Sequence, residues 1–320
     1  MALPAIFDRL RLPVVGAPLF IISNPDLVIA QCKAGIVGSF PALNARPASQ
    51  LDEWLHQIRE ELAAHDRDHP DQPAAPFAVN QIVFKTNTRL EHDLELCVRH
   101  KAPIVISSLG ARAEVNDAVH SYGGLTLHDV ISDRHARKAI EKGADGVIAV
   151  AAGAGGHAGS TSPFALIQEI RAWFDGPLLL SGAIATGRAI LAAQAMGADL
   201  AYVGSAFIAT AEARAEEAYK RMITESAAAD IVYSNLFTGV HGNYLRGSIV
   251  AAGLDPDNLA TSDPSAMNFG AGDGAAQVKA WKDVWGAGQG VGAVRDILPA
   301  ADRVARLKEE YDRARRQLCA

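Results

Sequence analysis

The chain repeats one unit, a short apolar segment followed by an amphipathic helical segment. Short apolar runs that alternate with helices are typical of parallel β/α units, because helices cover both faces of a parallel sheet. Eight such runs occur before residue 210, and each except the last is clearly followed by a helical segment. We place their starts near Val14, Ile36, Phe77, Ile104, Leu125, Val147, Leu178 and Leu200.

Eight units of one type predict a closed (β/α)8 barrel, the TIM barrel, rather than an open doubly wound sheet with a reversal of strand order. The 320 residues suffice, since such a barrel takes about 250. We expect the barrel over residues 1–225 and a small lid lobe over 226–292, where the repeat ends. The lobe includes the glycine-rich segment 265–277, and a helix within 293–320 is expected to pack back on the barrel.

Composition and charge exclude several classes of function. The net charge of −6 comes without a basic run of the kind that follows nucleic acid. No stretch approaches the roughly 20 apolar residues that a membrane span requires, and the start of the chain lacks a secretory signal pattern. Cys32, Cys97 and Cys319 are too widely spaced for a disulfide framework or a metal site. We expect a cytoplasmic monomer or homodimer that acts on a small molecule.

Glycines follow the last two predicted strands, and each has a serine beside it. These pairs are Ser181–Gly182 and Gly204–Ser205. Backbone N–H groups at such turns can approach an anion closely, because glycine has no Cβ and a helix N-terminus favours negative charge. In a barrel of this type the last two turns are the usual phosphate site. The sequence therefore predicts a phosphate-binding site here.

A second glycine-rich stretch, GAGGHAG, follows the sixth predicted strand and carries His157. Its neighbours have almost no side chains, so the imidazole has little to pack against on the functional side of the barrel. A lone histidine is also commonly a structural group. Both interpretations of His157 stand on the residues alone.

Polar side chains end three earlier strands. Asn80 ends the third strand, and its amide can both donate to and accept from a cofactor ring, although asparagine is also a common turn residue. Ser107 and Ser108 end the fourth strand and would line a pocket. His128 and Asp129 end the fifth, where an acid–base pair is useful. Neighbours in a strand point to opposite faces, so the two share a site only if the strand has already ended.

The predicted lobe contributes the segment GVHGNYLRGS. Its His241 and Tyr244 would line the mouth of the barrel from above and contact the substrate. An irregular surface loop is an equally good interpretation of this segment.

Five short motifs occur in a fixed order at the predicted strand ends: APL, FAVN, AGGHAG, SGAI and VGSAF. This order resembles the nitronate monooxygenase family, formerly called 2-nitropropane dioxygenases. The family includes FMN-dependent NADH:quinone reductases and flavin enoyl-acyl-carrier-protein reductases. The resemblance spans about residues 13–207, and the later segment VWGAGQGVG is also similar to the family.

The resemblance implies a TIM-barrel FMN enzyme without a metal, in which NADH or NADPH is a possible reductant. It assigns the flavin ring to Ala17, Pro18, Leu19 and Asn80, the lining of the ring to Ala154, Gly155 and Gly156, the phosphate to Ser181, Gly182, Ala183, Gly204 and Ser205, and a contact from the lid to Gln289. The catalytic candidates are then His157, Ser108 and His128, and Ser107, His241 and Tyr244 are expected near the substrate.

The chain departs from the family at two strand ends. Well-studied nitronate monooxygenases place a histidine at the end of the fourth strand, where this chain has Ser107 and Ser108. Reductases of the family often carry a lysine at the end of the fifth strand, where this chain has Asp129.

The expected activity is oxidation of alkyl nitronates by O2 to a carbonyl compound and nitrite. Two alternatives remain open. The first is an NAD(P)H-dependent reductase of quinones or unsaturated thioesters. The second is a non-redox lyase or isomerase that binds a phosphorylated substrate, which the absence of a lysine at the strand ends disfavours.

Overall fold

The computed structural model describes residues 3–262 and 283–318. The strands within these ranges are β1 (Val14–Gly16), β2 (Gly38–Pro41), β3 (Phe77–Ile82), β4 (Ile104–Ser108), β5 (Leu125–Val130), β6 (Gly146–Val150), β7 (Gly156–His157), β8 (Leu178–Ser181), β9 (Leu200–Val203), β10 (Ile231–Ser234) and β11 (Gly242–Leu245). Eight of them pair in parallel in the order β1-β9-β8-β6-β5-β4-β3-β2.

The sheet closes on itself between β1 and β2. Val15 pairs in parallel with Val37, and the Gly16 N–H donates to the Val37 carbonyl over 2.8 Å. The predicted (β/α)8 barrel is therefore confirmed. Six of the predicted strand starts coincide with the observed ones, β6 starts one residue earlier, and β2 starts at Gly38 rather than Ile36.

Helices follow the barrel strands and cover their outer faces. The α-helices of the described ranges are α1 (Pro25–Lys33), α2 (Gln50–Asp68), α3 (Leu90–His100), α4 (Ala113–His120), α5 (Asp133–Glu141), α6 (Pro163–Arg171), α7 (Gly187–Ala195), α8 (Ser205–Ile208), α9 (Glu217–Glu225), α10 (Arg246–Ala251) and α11 (Ala300–Leu318), of which α10 lies beside β11 in the lobe. Local sequence starts several of them. The Asn24 side chain accepts a hydrogen bond from the Leu27 N–H and caps α1. Pro25 occupies the first turn of α1, where a backbone N–H would have no partner within the helix, so the lack of this group in proline costs nothing.

Alternation along the strands fills the inside of the barrel with apolar side chains. Alternate residues such as Ile104 and Ile106 of β4 belong to the interior cluster, whereas Val105 between them packs with the outer helices. A short 3-10 helix, Ala5–Arg9, adds Phe7 to the same interior cluster. The interior is therefore packed, and space for a ligand remains at the carboxyl ends of the strands.

A second sheet joins the lobe to the barrel. Strands β10, β11 and β7 pair in that order and antiparallel. The Asn243 side chain in β11 donates to the Ala154 carbonyl over 2.7 Å, and the Ala287 N–H donates to the Asn243 carbonyl over 3.1 Å. Residues after 283 thus run beside β11 and return to the glycine-rich turn after β6.

The C-terminal helix α11 packs against α7 and α1. The predicted segment 265–277 of the lobe, and Cys319, lie outside the described residues. Over residues 3–262 and 283–318, no helix combines the length and apolar character needed to cross a bilayer.

Candidate active site

A cavity of about 580 Å³ opens at the carboxyl ends of the barrel strands. Residues at or just after the ends of all eight barrel strands line it, from Ala17 after β1 to Ser205 after β9. Val240, Gly286, Gly288 and Gly290 add a wall from the lobe side. Cavities at this face carry the active site in enzymes with this fold.

Most of the residues selected from the sequence line this cavity. They are Ala17, Pro18, Leu19, Asn80, Ser108, His128, Ala154, Gly155, Gly156, His157, Ser181, Gly182, Ala183, Gly204 and Ser205. The barrel therefore brings together the residues that the five motifs singled out, although they are spread over almost 190 positions of the chain. Their assignment to particular atoms of a cofactor stays a prediction.

The turns after β8 and β9 offer unused backbone donors. Among the described residues, the N–H groups of Gly182, Ile184 and Gly204 donate no backbone or side-chain hydrogen bond. Gly182 has a φ of +146° and Ala183 a φ of +54°, conformations that bend the chain sharply after β8. Helix α8 starts at Ser205, directly after Gly204. An anion placed between the two turns would meet several N–H groups at once.

Helix α7 does not share in this site. It begins at Gly187, five residues after Gly182, and its first N–H donates to the Glu310 carboxylate of α11 over 2.8 Å. From the sequence, we expected the helix after the seventh barrel strand to start at Gly182. The intervening turn instead places the N-terminus of α7 against α11, where a carboxylate already satisfies its positive end.

The glycines after β6 allow another part of the backbone to approach. A Cβ on Gly155 would lie 2.7 Å from the Gly288 nitrogen, and a Cβ on Gly288 would lie 2.6 Å from the Gly153 carbonyl oxygen. The Gln289 N–H donates to that same carbonyl over 2.9 Å. Gln289 itself is exposed and does not line the cavity. These glycines thus both line the cavity and let residues 286–290 form its wall.

His157 lies in β7, where the lobe sheet meets the cavity, and pairs with Gly242. Its Nε2 lies 2.8 Å from the Thr238 hydroxyl, which donates its hydrogen to the Val240 carbonyl over 3.1 Å. Burial lowers the pKa of His157 to about 4, and the ring is neutral at pH 7.

A chain of hydrogen bonds crosses the cavity floor from β3 to β5. The Asn80 amide donates to the Ser108 hydroxyl over 2.7 Å, and the Ser108 hydroxyl donates to the Asp129 carboxylate. Burial raises the pKa of Asp129 to about 6, and hydrogen bonds from Ser108 and the Leu109 N–H oppose a larger rise. The sequence placed Asp129 at this strand end but did not select it as a site residue.

Strand alternation turns the side chains of two selected residues toward the outer faces of their strands, although His128 is still among the residues that border the cavity. The Ser107 hydroxyl is buried on the other face of β4 and has no hydrogen-bond partner among the described residues. The His128 Nε2 donates to the Asn116 side-chain oxygen of α4 over 2.9 Å. Desolvation lowers the pKa of His128 to about 4. His128 therefore connects a strand to its covering helix, and Asp129 is the member of the pair that faces inward.

The two selected lobe residues do not line the cavity. Tyr244 is fully buried, and its ring packs edge-on against Phe237 with 4.8 Å between the ring centres. His241 is exposed and stacks on Tyr233 at 5.0 Å. The lobe instead lines the cavity through Val240 and the glycines near residue 288.

A barrel mouth with unpaired backbone donors at its last two turns among the described residues, a neutral imidazole and a polar floor is the arrangement expected of a barrel enzyme that binds a phosphate-bearing molecule. Comparison with known proteins narrows the class. The sequence profile of the nitronate monooxygenase family matches residues 6–310. The chain belongs to this family, whose members are flavin-dependent oxidoreductases.

Individual relatives are similar to this chain over nearly its whole length. A nitronate monooxygenase of Paraburkholderia phytofirmans is 27% identical over 96% of this chain and 94% of its own length. The structure of a nitroalkane oxidase from Streptomyces ansochromogenes is 25% identical, covers 98% of this chain and 100% of its own, and superposes with a TM-score of 0.79. FabK from Thermotoga maritima, at 21% identity and 99% coverage of both chains, shares the fold with a TM-score of 0.78.

Proposed function

We propose that this protein is an FMN-dependent enzyme that oxidises alkyl nitronates with O2 to a carbonyl compound and nitrite. The observation that carries the proposal is one cavity that combines a neutral imidazole and a polar floor with backbone donors, at the last two turns, that have no partner among the described residues. The relatives named as nitronate monooxygenases support the substrate class. We also propose a cytoplasmic location and a small-molecule substrate, as expected from the cysteine spacing and charge.

The residues present fit the phosphate end of FMN. The N–H groups of Gly182, Ile184 and Gly204, which have no partner among the described residues, would hold the phosphate, since backbone donors at turns and helix N-termini favour an anion. A Cβ on Gly204 would point at Leu19 and Ala17, so the β1 loop and the β9 turn border the same space. When bound, the flavin would accept electrons from the substrate and pass them to O2.

The side chains would orient the substrate and exclude water. A nitronate is an anion, so it would be stabilised by hydrogen-bond donors and not by a base. His157 and Ser108 are uncharged groups on the cavity surface, so neither would repel an anionic nitronate. Leu43, Ile82, Phe84, Leu109 and Ile131 line the cavity at the ends of β2 to β5 and form an apolar wall, here called the far wall.

The far wall lies across the barrel from the proposed phosphate turns. In the closed ring of strands, β3 lies opposite β8, and β4 lies opposite β9. A cofactor held by its phosphate at the turns would therefore extend toward the apolar side. The alkyl part of a substrate would contact that side.

Oxygen uptake by the purified FMN-loaded protein tests the proposal. Ethylnitronate should give O2 consumption and stoichiometric nitrite, whereas nitrite formation no faster than in a protein-free control would refute nitronate oxidation. The spectrum of the protein should show bound flavin.

A second function, NAD(P)H-dependent reduction, is favoured by the serines at the end of β4, where nitronate monooxygenases carry a histidine. An anaerobic stopped-flow experiment separates the two. Rapid bleaching of the flavin by NADH or NADPH supports the reductase. Bleaching by ethylnitronate alone supports the oxidase reaction.

A further inference from the structure

Asp129 stands apart among the residues that line the cavity. Its side chain is the only carboxyl group among the described lining residues. It ends β5 and faces the barrel axis, where the β4 end supplies two hydrogen bonds, from the Ser108 hydroxyl and the Leu109 N–H. A carboxylate placed on the cavity surface has no role in binding a substrate that is already an anion, because two like charges would repel.

We propose that Asp129 is a general base that removes the α-proton of a neutral nitroalkane and thereby forms the nitronate within the site. This inference rests on the proposed nitronate oxidation. In the step, the α C–H bond breaks and its electron pair forms the C=N bond. The negative charge moves to the nitro oxygens, and the proton forms an O–H bond on Asp129. Water removes this proton before the next turnover.

The geometry around Asp129 suits a base. Asn80 donates to Ser108, and Ser108 donates to Asp129, so the chain fixes the hydroxyl hydrogen toward the carboxylate. With a pKa of about 6, the group is ionised at pH 7 and close to the value that favours proton transfer. After accepting the proton, the neutral acid no longer repels the nitronate and can donate a hydrogen bond to it.

The other titratable groups around the cavity leave this assignment to Asp129. Tyr202 on β9 faces it, and burial together with the Asp129 charge raises the pKa of that phenol well above its usual value. Burial lowers the pKa of His157 on β7 to about 4, which makes it a weaker base than Asp129, and His128 is turned toward α4. His135 and Lys138 of α5 line the cavity as well, and the His135 Nδ1 lies 2.7 Å from the Ser132 hydroxyl.

Exchange of the substrate α-protons tests the step without any redox turnover. Nitroethane is incubated with the protein in D2O under anaerobic conditions, and proton NMR follows the loss of the α-signal. The unmodified protein should accelerate exchange, with a rate that rises with pH through about 6. Asp129→Asn should lower the enzymatic rate by about 100-fold, whereas Asp117→Asn, the same change at an exposed position on α4, should not lower it.

Ser108→Ala distinguishes a base from a structural carboxylate. Ser108 donates a hydrogen bond to the ionised form of Asp129 and so lowers its pKa. Without this hydroxyl, the midpoint of the exchange profile should move to higher pH. Exchange that is as fast in Asp129→Asn as in the unmodified protein, or a midpoint that stays fixed in Ser108→Ala, would overturn the proposal. No exchange by the unmodified protein would do so too.

A comparison of two substrates separates this inference from the proposed function. With nitroethane, Asp129→Asn should lose about 100-fold in O2 consumption, whereas with preformed ethylnitronate it should lose far less. If Asp129→Asn loses O2 consumption equally with both substrates, Asp129 has no role in proton removal. That result would leave the proposed nitronate oxidation by the unmodified protein unaffected. Unmodified protein that exchanges protons but does not oxidise ethylnitronate would reject the proposed function alone. Bound-flavin spectra and thermal unfolding show that each variant is folded.

Discussion

At the scale of single residues, the site depends on which side of a strand a side chain occupies. His128 and Asp129 are neighbours in sequence, but one bonds to α4 and the other to Ser108 on the adjacent strand β4, inside the barrel mouth. The sequence shows that only one of them can face inward. The choice depends on the register of β5 against β4 and β6, and a shift of one residue would exchange the two. This is why His128 was selected and Asp129 was not.

Gly204 is the residue at which the proposed phosphate site can be tested without disturbing the fold. A Cβ there would lie 3.4 Å from the Leu19 side chain and 3.5 Å from the Ala17 Cβ, ordinary contact distances. Gly204→Ala should therefore fold normally but narrow the space between the β1 loop and the β9 turn. We expect FMN affinity, measured by fluorescence titration, to fall about ten-fold, which corresponds to about 1.4 kcal/mol.

Gly182→Ala tests the backbone conformation of the neighbouring turn after β8. Gly182 has a φ of +146°, and its Cβ would lie 2.8 Å from the Ala152 carbonyl oxygen. This change should lower the free energy of unfolding of the FMN-free protein by about 1–3 kcal/mol, measured by urea denaturation. Unchanged FMN affinity in Gly204→Ala would place the phosphate elsewhere.

At the scale of elements, the barrel mouth is built by segments that come from far apart in the chain. The turn after β6 is closed by residues 286–290, near the end of the lobe, and the N-terminus of α7 is bonded to α11. Tyr219 of α9 stacks on Trp285 with 4.8 Å between ring centres and donates to the Gly286 carbonyl. The alternation of strands and helices in the sequence does not predict these contacts, because each contact joins residues that are distant in the chain.

The contact between α7 and α11 makes a prediction about stability. The Glu310 carboxylate accepts from the Gly187 N–H at the N-terminus of α7, where negative charge is favourable. Glu310→Gln should lower the free energy of unfolding by about 1 kcal/mol and leave FMN affinity unchanged, because α7 is separate from the proposed phosphate site. Glu309→Gln, an exposed neighbour paired with Arg313, should have a smaller effect. Equal losses in the two variants would show that the helix terminus contributes nothing.

At the scale of the whole molecule, the repeat of eight units specified the barrel, and six strand starts were predicted to the residue. Parallel strands that are buried on both faces appear in the sequence as continuous apolar runs, whereas the strands of the lobe do not. His241 and Tyr244 were expected at the cavity because their segment follows the barrel. Pairing of β11 with β7 and with the bridge to Gly286 buries Tyr244 and leaves His241 on the outside. Such pairings join distant positions and cannot be inferred from local pattern.

The closed ring of strands also predicts how substrate size affects the proposed reaction. Because the far wall lies opposite the phosphate turns, a longer alkyl chain would lie against apolar side chains that only a complete barrel brings together. Each added methylene that is buried there contributes up to about 0.8 kcal/mol, so kcat/KM should rise by up to about four-fold per methylene from ethylnitronate to butylnitronate.

Replacing one side chain of the far wall should weaken this dependence. Phe84→Ser should flatten the rise in kcat/KM with chain length, since it removes apolar contact area from the cavity. Phe164→Ser is the matched control, because Phe164 is 62% exposed and lies outside the cavity lining. Steady-state O2 consumption with ethyl-, propyl- and butylnitronate measures the slope. An equal slope in both variants would show that the substrate's alkyl group does not contact the far wall. A fall in kcat/KM with chain length in the unmodified protein would show the same. In either case, the proposed orientation of the cofactor across the barrel would have to be reversed.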